Sequence, residues 1–130
     1  MKIQLAYKMT GENREEVIEM LKEIKSILEE KSNEVYVPEL NPDRPKTKKE
    51  LYLDTLRKLD SADVLLAIIK SDDKSEGMLM EIGYAMGKDK KVVTAIWDCV
   101  KQTHLRELAN QVIEFNNIDN LYKKLKEVDI

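Results

Sequence analysis

Ala62-Asp63-Val64-Leu65-Leu66-Ala67-Ile68-Ile69 is an apolar run interrupted only by Asp63, and a polar loop, Lys70 to Glu76, leads from it to a helix reading from Gly77 to about Gly87. An apolar run without alternation predicts a central parallel strand covered by helices on both faces. Upstream, Thr47 and Glu50 have the spacing of a capping box and open a helix to about Asp60, with Tyr52, Leu53, Leu56 and Leu59 on its apolar face. Downstream, Lys91–Trp97 reads as a strand, Thr103–Gln111 as a short helix, Val112–Phe115 as a strand and Ile118–Val128 as a closing helix. Toward the N-terminus, Ile3, Leu5, Tyr7 and Met9 alternate along a first strand closed by Thr10-Gly11. Asn13 and Glu16 form a second possible capping box, for a helix that carries Val17, Met20, Leu21, Ile24, Ile27 and Leu28 at helical spacing to about Glu30. Glu34–Pro38 is a short strand, and the prolines of Asn41-Pro42-Asp43-Arg44-Pro45 forbid regular structure after it.

Strands alternating with helices along the whole chain predict a three-layer α/β fold with a five-stranded parallel sheet, flavodoxin-like or Rossmann-like, and right-handed crossovers. At 130 residues, with no repeat or linker, one domain over residues 1–130 is expected. In such sheets ligands bind beyond the carboxyl ends of the strands. Chemistry is therefore to be sought in the loops after Met9, Pro38, Ile69 and Trp97.

Composition narrows the function classes. Charged residues make up 36% of the chain in mixed order, for a net charge of −3, so no positive track for nucleic acid is expected. Cys99 is the one cysteine and His104 the one histidine, which excludes an intrachain disulfide and a Cys/His metal site and suits a reducing, cytoplasmic setting. No stretch approaches the roughly 20 apolar residues of a membrane span.

On the helix after the central strand, Met78, Leu79, Met80, Ile82, Ala85 and Met86 cover nearly the whole circumference, so this helix is expected to be largely buried. Glu81 is its one internal charge, and a buried carboxylate is costly without a partner. Helical side chains lean toward the N-terminus, which aims Glu81 over Gly77, where the missing side chain is expected to leave open space. Amide groups free at the helix start, with Ser75 beside them, suit anionic or hydroxyl-rich ligands. The plain alternative is a Lys pairing with Glu81 and glycines that only permit close packing.

Asp72-Asp73-Lys74-Ser75-Glu76-Gly77 followed by Met80-Glu81-Ile82-Gly83-Tyr84-Ala85, and then Gly87-Lys88-Asp89-Lys90-Lys91-Val92-Val93, resembles the nucleoside 2-deoxyribosyltransferase family and the related deoxynucleoside 5′-monophosphate N-glycosidases. The resemblance implies cleavage of the N-glycosidic bond of a deoxynucleoside or its 5′-monophosphate, without metal or cofactor, by a homodimer. Glu81 would attack the anomeric carbon, and water or a second base would resolve the glycosyl-enzyme. Ser75 and Gly77 match motif positions that contact sugar or phosphate. Asp54 is the nearest candidate for the family's acidic residue on the preceding helix, although its place on the helical wheel also suits a solvated face.

The family's glycine-rich first loop is replaced by Tyr7-Lys8-Met9-Thr10-Gly11. Tyr7 could bond or block a ligand there and Lys8 could replace a phosphate-binding group, with strand-end packing and surface charge as the alternatives. Asp73, like Asp72, could orient a substrate hydroxyl or simply form a turn. Arg106 lies where some relatives reach into the neighbouring subunit, which makes it a candidate phosphate contact. The altered first loop also leaves room for a nucleotide-binding or signalling module without turnover. A phosphoribohydrolase of the cytokinin-nucleotide type ranks last, because the Gly-Gly-x-Gly-Thr loop is missing.

Overall fold

The computed structural model describes residues 1–9, 11–73 and 75–130; Thr10, read as part of the turn after the first strand, and Lys74, in the motif loop, lie outside the described residues. Five strands, β1 (Lys2–Tyr7), β2 (Glu34–Tyr36), β3 (Val64–Ile69), β4 (Lys91–Trp97) and β5 (Gln111–Phe115), alternate with helices. The helices are α1 (Arg14–Glu30), α2 (Lys48–Asp60), α3 (Glu76–Gly87), α4 (Leu105–Leu108) and α5 (Ile118–Glu127), with a 3-10 turn at Pro38–Leu40. The sheet is parallel throughout, in the order β2-β1-β3-β4-β5. All six residues of β3 are buried, as its unbroken apolar sequence requires of a strand covered on both sides.

Local signals in the sequence start the helices. Asn13 Oδ1 accepts from Glu16 N at 3.1 Å, and Thr47 Oγ1 from Glu50 N at 3.3 Å, so both expected caps form. Pro38 opens the 3-10 turn and is responsible for a β2 shorter than its sequence suggests.

Alternation along the strands separates two cores. Ile3, Leu5, Tyr7, Val64, Leu66 and Ile68 join the layer of α1 and α5, while Ala6, Leu65, Ala67 and Ile69 join the layer of α2 and α3. The chain runs from β1 outward to β2, then back across to β3, so the order of strands reverses between β1 and β3. That reversal opens a crevice at their carboxyl ends, where Tyr7 and Ile69 finish the strands.

Two expectations about the α2/α3 layer are corrected. The helix α3 is not buried all round: Met78, Ile82 and Ala85 form one inward stripe, while Leu79, Met80 and Met86 are 40%, 47% and 41% exposed. Only one helical layer covers this face, so a helix that is apolar all round must show half its side chains to the outside. In α2, Thr55 and Leu59 are buried, and the expected core residues Tyr52 and Leu53 are exposed. Burial of Thr55 is tolerated because its hydroxyl donates to Leu51 O at 2.9 Å, and its carbonyl accepts from Gln4 Nε2 at 3.2 Å.

Candidate active site

Ser75 closes the loop after β3 and caps α3, its Oγ accepting from Met78 N at 3.2 Å. The cap fixes the first turn, and Glu81 follows in the second. Its Oε2 is shut off from solvent with no hydrogen-bond partner among the described residues, so the plain alternative of a lysine partner is not found. Burial pushes the Glu81 carboxyl up to about 8, and the charge of Glu39 adds to the rise.

Glu39 is the residue that sequence reasoning missed. It sits in the 3-10 turn after β2, at the carboxyl edge of the sheet, and its Oε2 is also buried without a partner. Burial raises its carboxyl, against the pull of its own backbone N–H, of Arg44 and of Arg14 on α1. The available signal was topological. The loop after Pro38 belongs to the edge where ligands bind, and an acidic residue stands directly after that proline.

The space expected over Gly77 is filled. A Cβ on Gly77 would stand 3.1 Å from Tyr52 Cε1, so α2 lays its aromatic ring where the helix has no side chain. The glycine thus admits Tyr52 rather than leaving a vacancy, a correction that makes the Tyr52 ring one wall of the site.

The remaining candidates fall into separate groups. Tyr7 is buried and its hydroxyl donates to Glu12 Oε1 at 3.2 Å; burial and the Glu12 carboxylate both raise it, keeping it a neutral donor. Lys8 reaches Asp73 Oδ2 at 3.5 Å, an exposed and weak pair. Lys70 lies 6.0 Å from the Tyr7 ring centroid and 5.8 Å from that of Trp97. The cleft beside Tyr7, Lys8 and Lys70 holds about 10 Å³, room for about one water. Asp54 is half-buried on α2 and makes no hydrogen bond or ion pair among the described residues, nor does it act on Glu81. Arg106 is committed within the chain: Nε donates to Glu114 Oε1 at 3.0 Å and Nη1 to Val100 O at 2.6 Å, holding α4 against the strand ends. A phosphate would have to displace these contacts. His104 is exposed beside Glu107.

A wide groove of about 840 Å³ lies elsewhere, along α1 and the start of α5, with Glu12, Glu15, Glu16 and Glu19 on its walls. Arg14 and Lys70 also line it, and neither Glu39 nor Glu81, whose Oε2 atoms are buried without a partner among the described residues, is part of it, so volume alone does not mark the site. Chemistry favours the Glu81 region.

A sequence profile described as nucleoside 2-deoxyribosyltransferase matches residues 9–121. The chain belongs to the nucleoside 2-deoxyribosyltransferase family. The matched span of this family member includes Glu39, Asp54, the motif loop and Glu81, and it begins just after Tyr7 and Lys8. No curated protein sequence shows a significant match. Among solved structures, the CMP N-glycosidase of Clostridium botulinum superposes with a TM-score of 0.69 at 23% identity, covering 98% of both chains. A 2-deoxyribosyltransferase from Bacillus psychrosaccharolyticus gives 0.67 at 17% identity, covering 100% of this chain and 93% of its own. A conserved protein from Enterococcus faecalis gives 0.68 at 17% identity, with 97% of each chain covered. At these identities the superpositions establish a shared nucleoside 2-deoxyribosyltransferase fold. The family and the two named neighbours are enzymes of glycosyl transfer or cleavage.

Proposed function

We propose that the protein cleaves the N-glycosidic bond of a deoxynucleoside or its 5′-monophosphate, with Glu81 as the nucleophile that forms a covalent glycosyl intermediate. Water or a second base resolves that intermediate. The observation that carries this reading is the unpartnered, solvent-shielded Oε2 of Glu81, one turn inside a helix that opens at the ligand-binding edge of the sheet. A carboxyl that no cation among the described residues pairs with is, once ionised, a strong nucleophile toward a carbon that gains positive charge in the transition state. In this reading Ser75 and the Tyr52 ring beside Gly77 would contact the sugar, and Lys8 and Asp73 would have to part to admit a phosphate.

The same reading includes a homodimer acting in the cytoplasm, with residues 1–130 as one domain. Tyr52 and Leu53 on α2 and Leu79, Met80 and Met86 on α3 are exposed on two helices that pack together, an apolar surface next to Glu81. A second copy seated there would cover that surface beside Glu81.

The test is chromatography of deoxyribonucleosides and their monophosphates incubated with the protein, with and without a second free base. Released base and its absence with Glu81→Ala are expected; unchanged turnover by the folded variant would remove Glu81 from the role of nucleophile. One observation favours a nucleotide-binding module without turnover: Tyr7 and Lys8, at the first strand end, are engaged with Glu12 and Asp73. Calorimetric nucleotide binding without base release over hours would select that reading.

A further inference from the structure

Among the described residues, the buried side-chain atoms without a partner include two carboxylate oxygens, Glu39 Oε2 and Glu81 Oε2. They belong to different segments. Glu39 stands in the middle of the 3-10 turn Pro38–Leu40 that follows β2, and Glu81 one turn inside α3, which follows β3. Since the strands are parallel, both segments leave the sheet at the same edge.

Their surroundings differ in sign. Glu39 feels two cations, Arg14 from α1 and Arg44 from the loop after the 3-10 turn. Among the described residues no cation acts on Glu81, and the charge that does is that of Glu39. The helix α2, packed on α3, contributes Asp54 and Asp60, but neither acts on Glu81, and Asp60 is occupied by the Tyr84 hydroxyl at 2.6 Å. Lys8 at the end of β1 acts on neither carboxyl. Two desolvated carboxyls that repel each other are least costly when they share one proton, and the cations decide that Glu39 carries the charge.

We propose that Glu39 is the proton partner of Glu81: the two carboxyl groups hold one proton between them, which passes to Glu39 as Glu81 attacks and from Glu39 to the departing base. This rests on the glycosyl-transfer reading above. In the first step the Glu81 proton moves to Glu39, the Glu81 oxygen bonds to the anomeric carbon, and the C–N electron pair leaves with the base. The base nitrogen then takes the proton, and both carboxyls are left without one. In the second step water, or the N–H of an incoming base, gives its proton to Glu39 while its oxygen or nitrogen displaces Glu81 from the anomeric carbon. The pair again holds one proton. Hydrolysis and transfer thus return the site to the same state.

The pH dependence separates this arrangement from a lone nucleophile. A lone Glu81 is active once ionised, so kcat/KM would rise with pH to a plateau above about 8. The shared proton predicts the opposite, a fall above about pH 8 as the pair loses its last proton. In Glu39→Gln that falling limb is expected to vanish.

A second comparison isolates the proton. Natural bases leave poorly unless protonated, whereas p-nitrophenol leaves readily as an anion. Glu39→Gln is expected to lower turnover of deoxynucleosides by about 100-fold and of p-nitrophenyl 2-deoxyriboside only several-fold, about the range of proton-transfer catalysis against none. Glu39→Asp, which keeps the carboxyl, should restore part of the loss, and thermal melts establish that both variants fold. Equal losses on the two substrates, or a wild-type rate that stays high above pH 8, would overturn the proton-partner role while glycosidic cleavage stands. A wild-type protein that turns over neither substrate class would instead overturn the glycosyl-transfer reading, and the proton role with it.

Discussion

The two helical layers meet the same sheet and end differently. On the α1/α5 side Leu21, Ile24, Leu121 and Leu125 are fully buried, and the side chains turned away from the sheet are charged. On the α2/α3 side the inward stripe is just as well covered, yet Tyr52, Leu53, Leu79, Met80 and Met86 face outward. Glu81, whose Oε2 has no partner among the described residues, stands on a helix of this second layer, while Glu39 stands in the turn after β2 that packs against α1. One layer is completed by the chain itself. The other keeps apolar surface and unsatisfied polar atoms together, at a cost in stability that a purely structural layer would have no reason to bear.

That contrast predicts different consequences for substitutions on the two sides. Glu81→Ala should show the largest effect, a loss of about 10³-fold or more in base release measured by chromatography, with an unchanged circular dichroism spectrum. A comparable loss from a substitution in the α1/α5 layer, per folded molecule, would dissolve the distinction. Leu21→Ala in that layer should cost about 3 kcal/mol in a urea melt, with specific activity of the folded fraction retained.

Glu81→Gln should respond to pH in a defined window. Because the folded carboxyl is raised from 4.5 to about 8, the native state keeps a proton that the unfolded chain gives up, and wild-type stability falls as pH rises through that interval. The glutamine variant escapes the loss. Its melting temperature should equal that of wild type near pH 4, then exceed it by an increasing margin worth on the order of 2–4 kcal/mol at pH 8, and the margin should stay constant above that. A gap that does not change with pH would mean that Glu81 is ionised freely in the fold.

The smallest expected effect on stability is that of Leu79→Lys combined with Met80→Lys, within about 0.5 kcal/mol for the single chain. Sedimentation should nevertheless change from dimer to monomer. A wild-type protein that sediments as a monomer at every concentration would remove the second copy from the account of this face.

The order of elements could be read from the sequence because each element carries its own local signal. Apolar continuity marked β3, and Asn13 and Thr47 marked the starts of α1 and α2. What could not be read depends on the relation between elements. The composition of α3 makes it apolar all round, but only the number of layers above it decides whether Leu79 and Met80 are covered. Likewise Gly77 reads as space until α2 is seen to place Tyr52 across it. Glu81 was visible as a lone charge on an apolar helix. Glu39 was not, because its importance arises from a neighbour 42 positions away, by the difference of their residue numbers, and no periodicity links the two.

Asp72 adds a mechanical consequence. Its Oδ1 accepts from Lys101 N at 3.1 Å and from Gln102 N at 3.0 Å, so the loop that carries Ser75 is fastened to the segment after β4. The two loops therefore form one hinged plate: a ligand that pushes the motif loop away from Tyr7 drags residues 101–102 and the start of α4 with it. Cutting the tether with Asp72→Ala would let the two loops move apart, while the Ser75 cap still holds the first turn of α3.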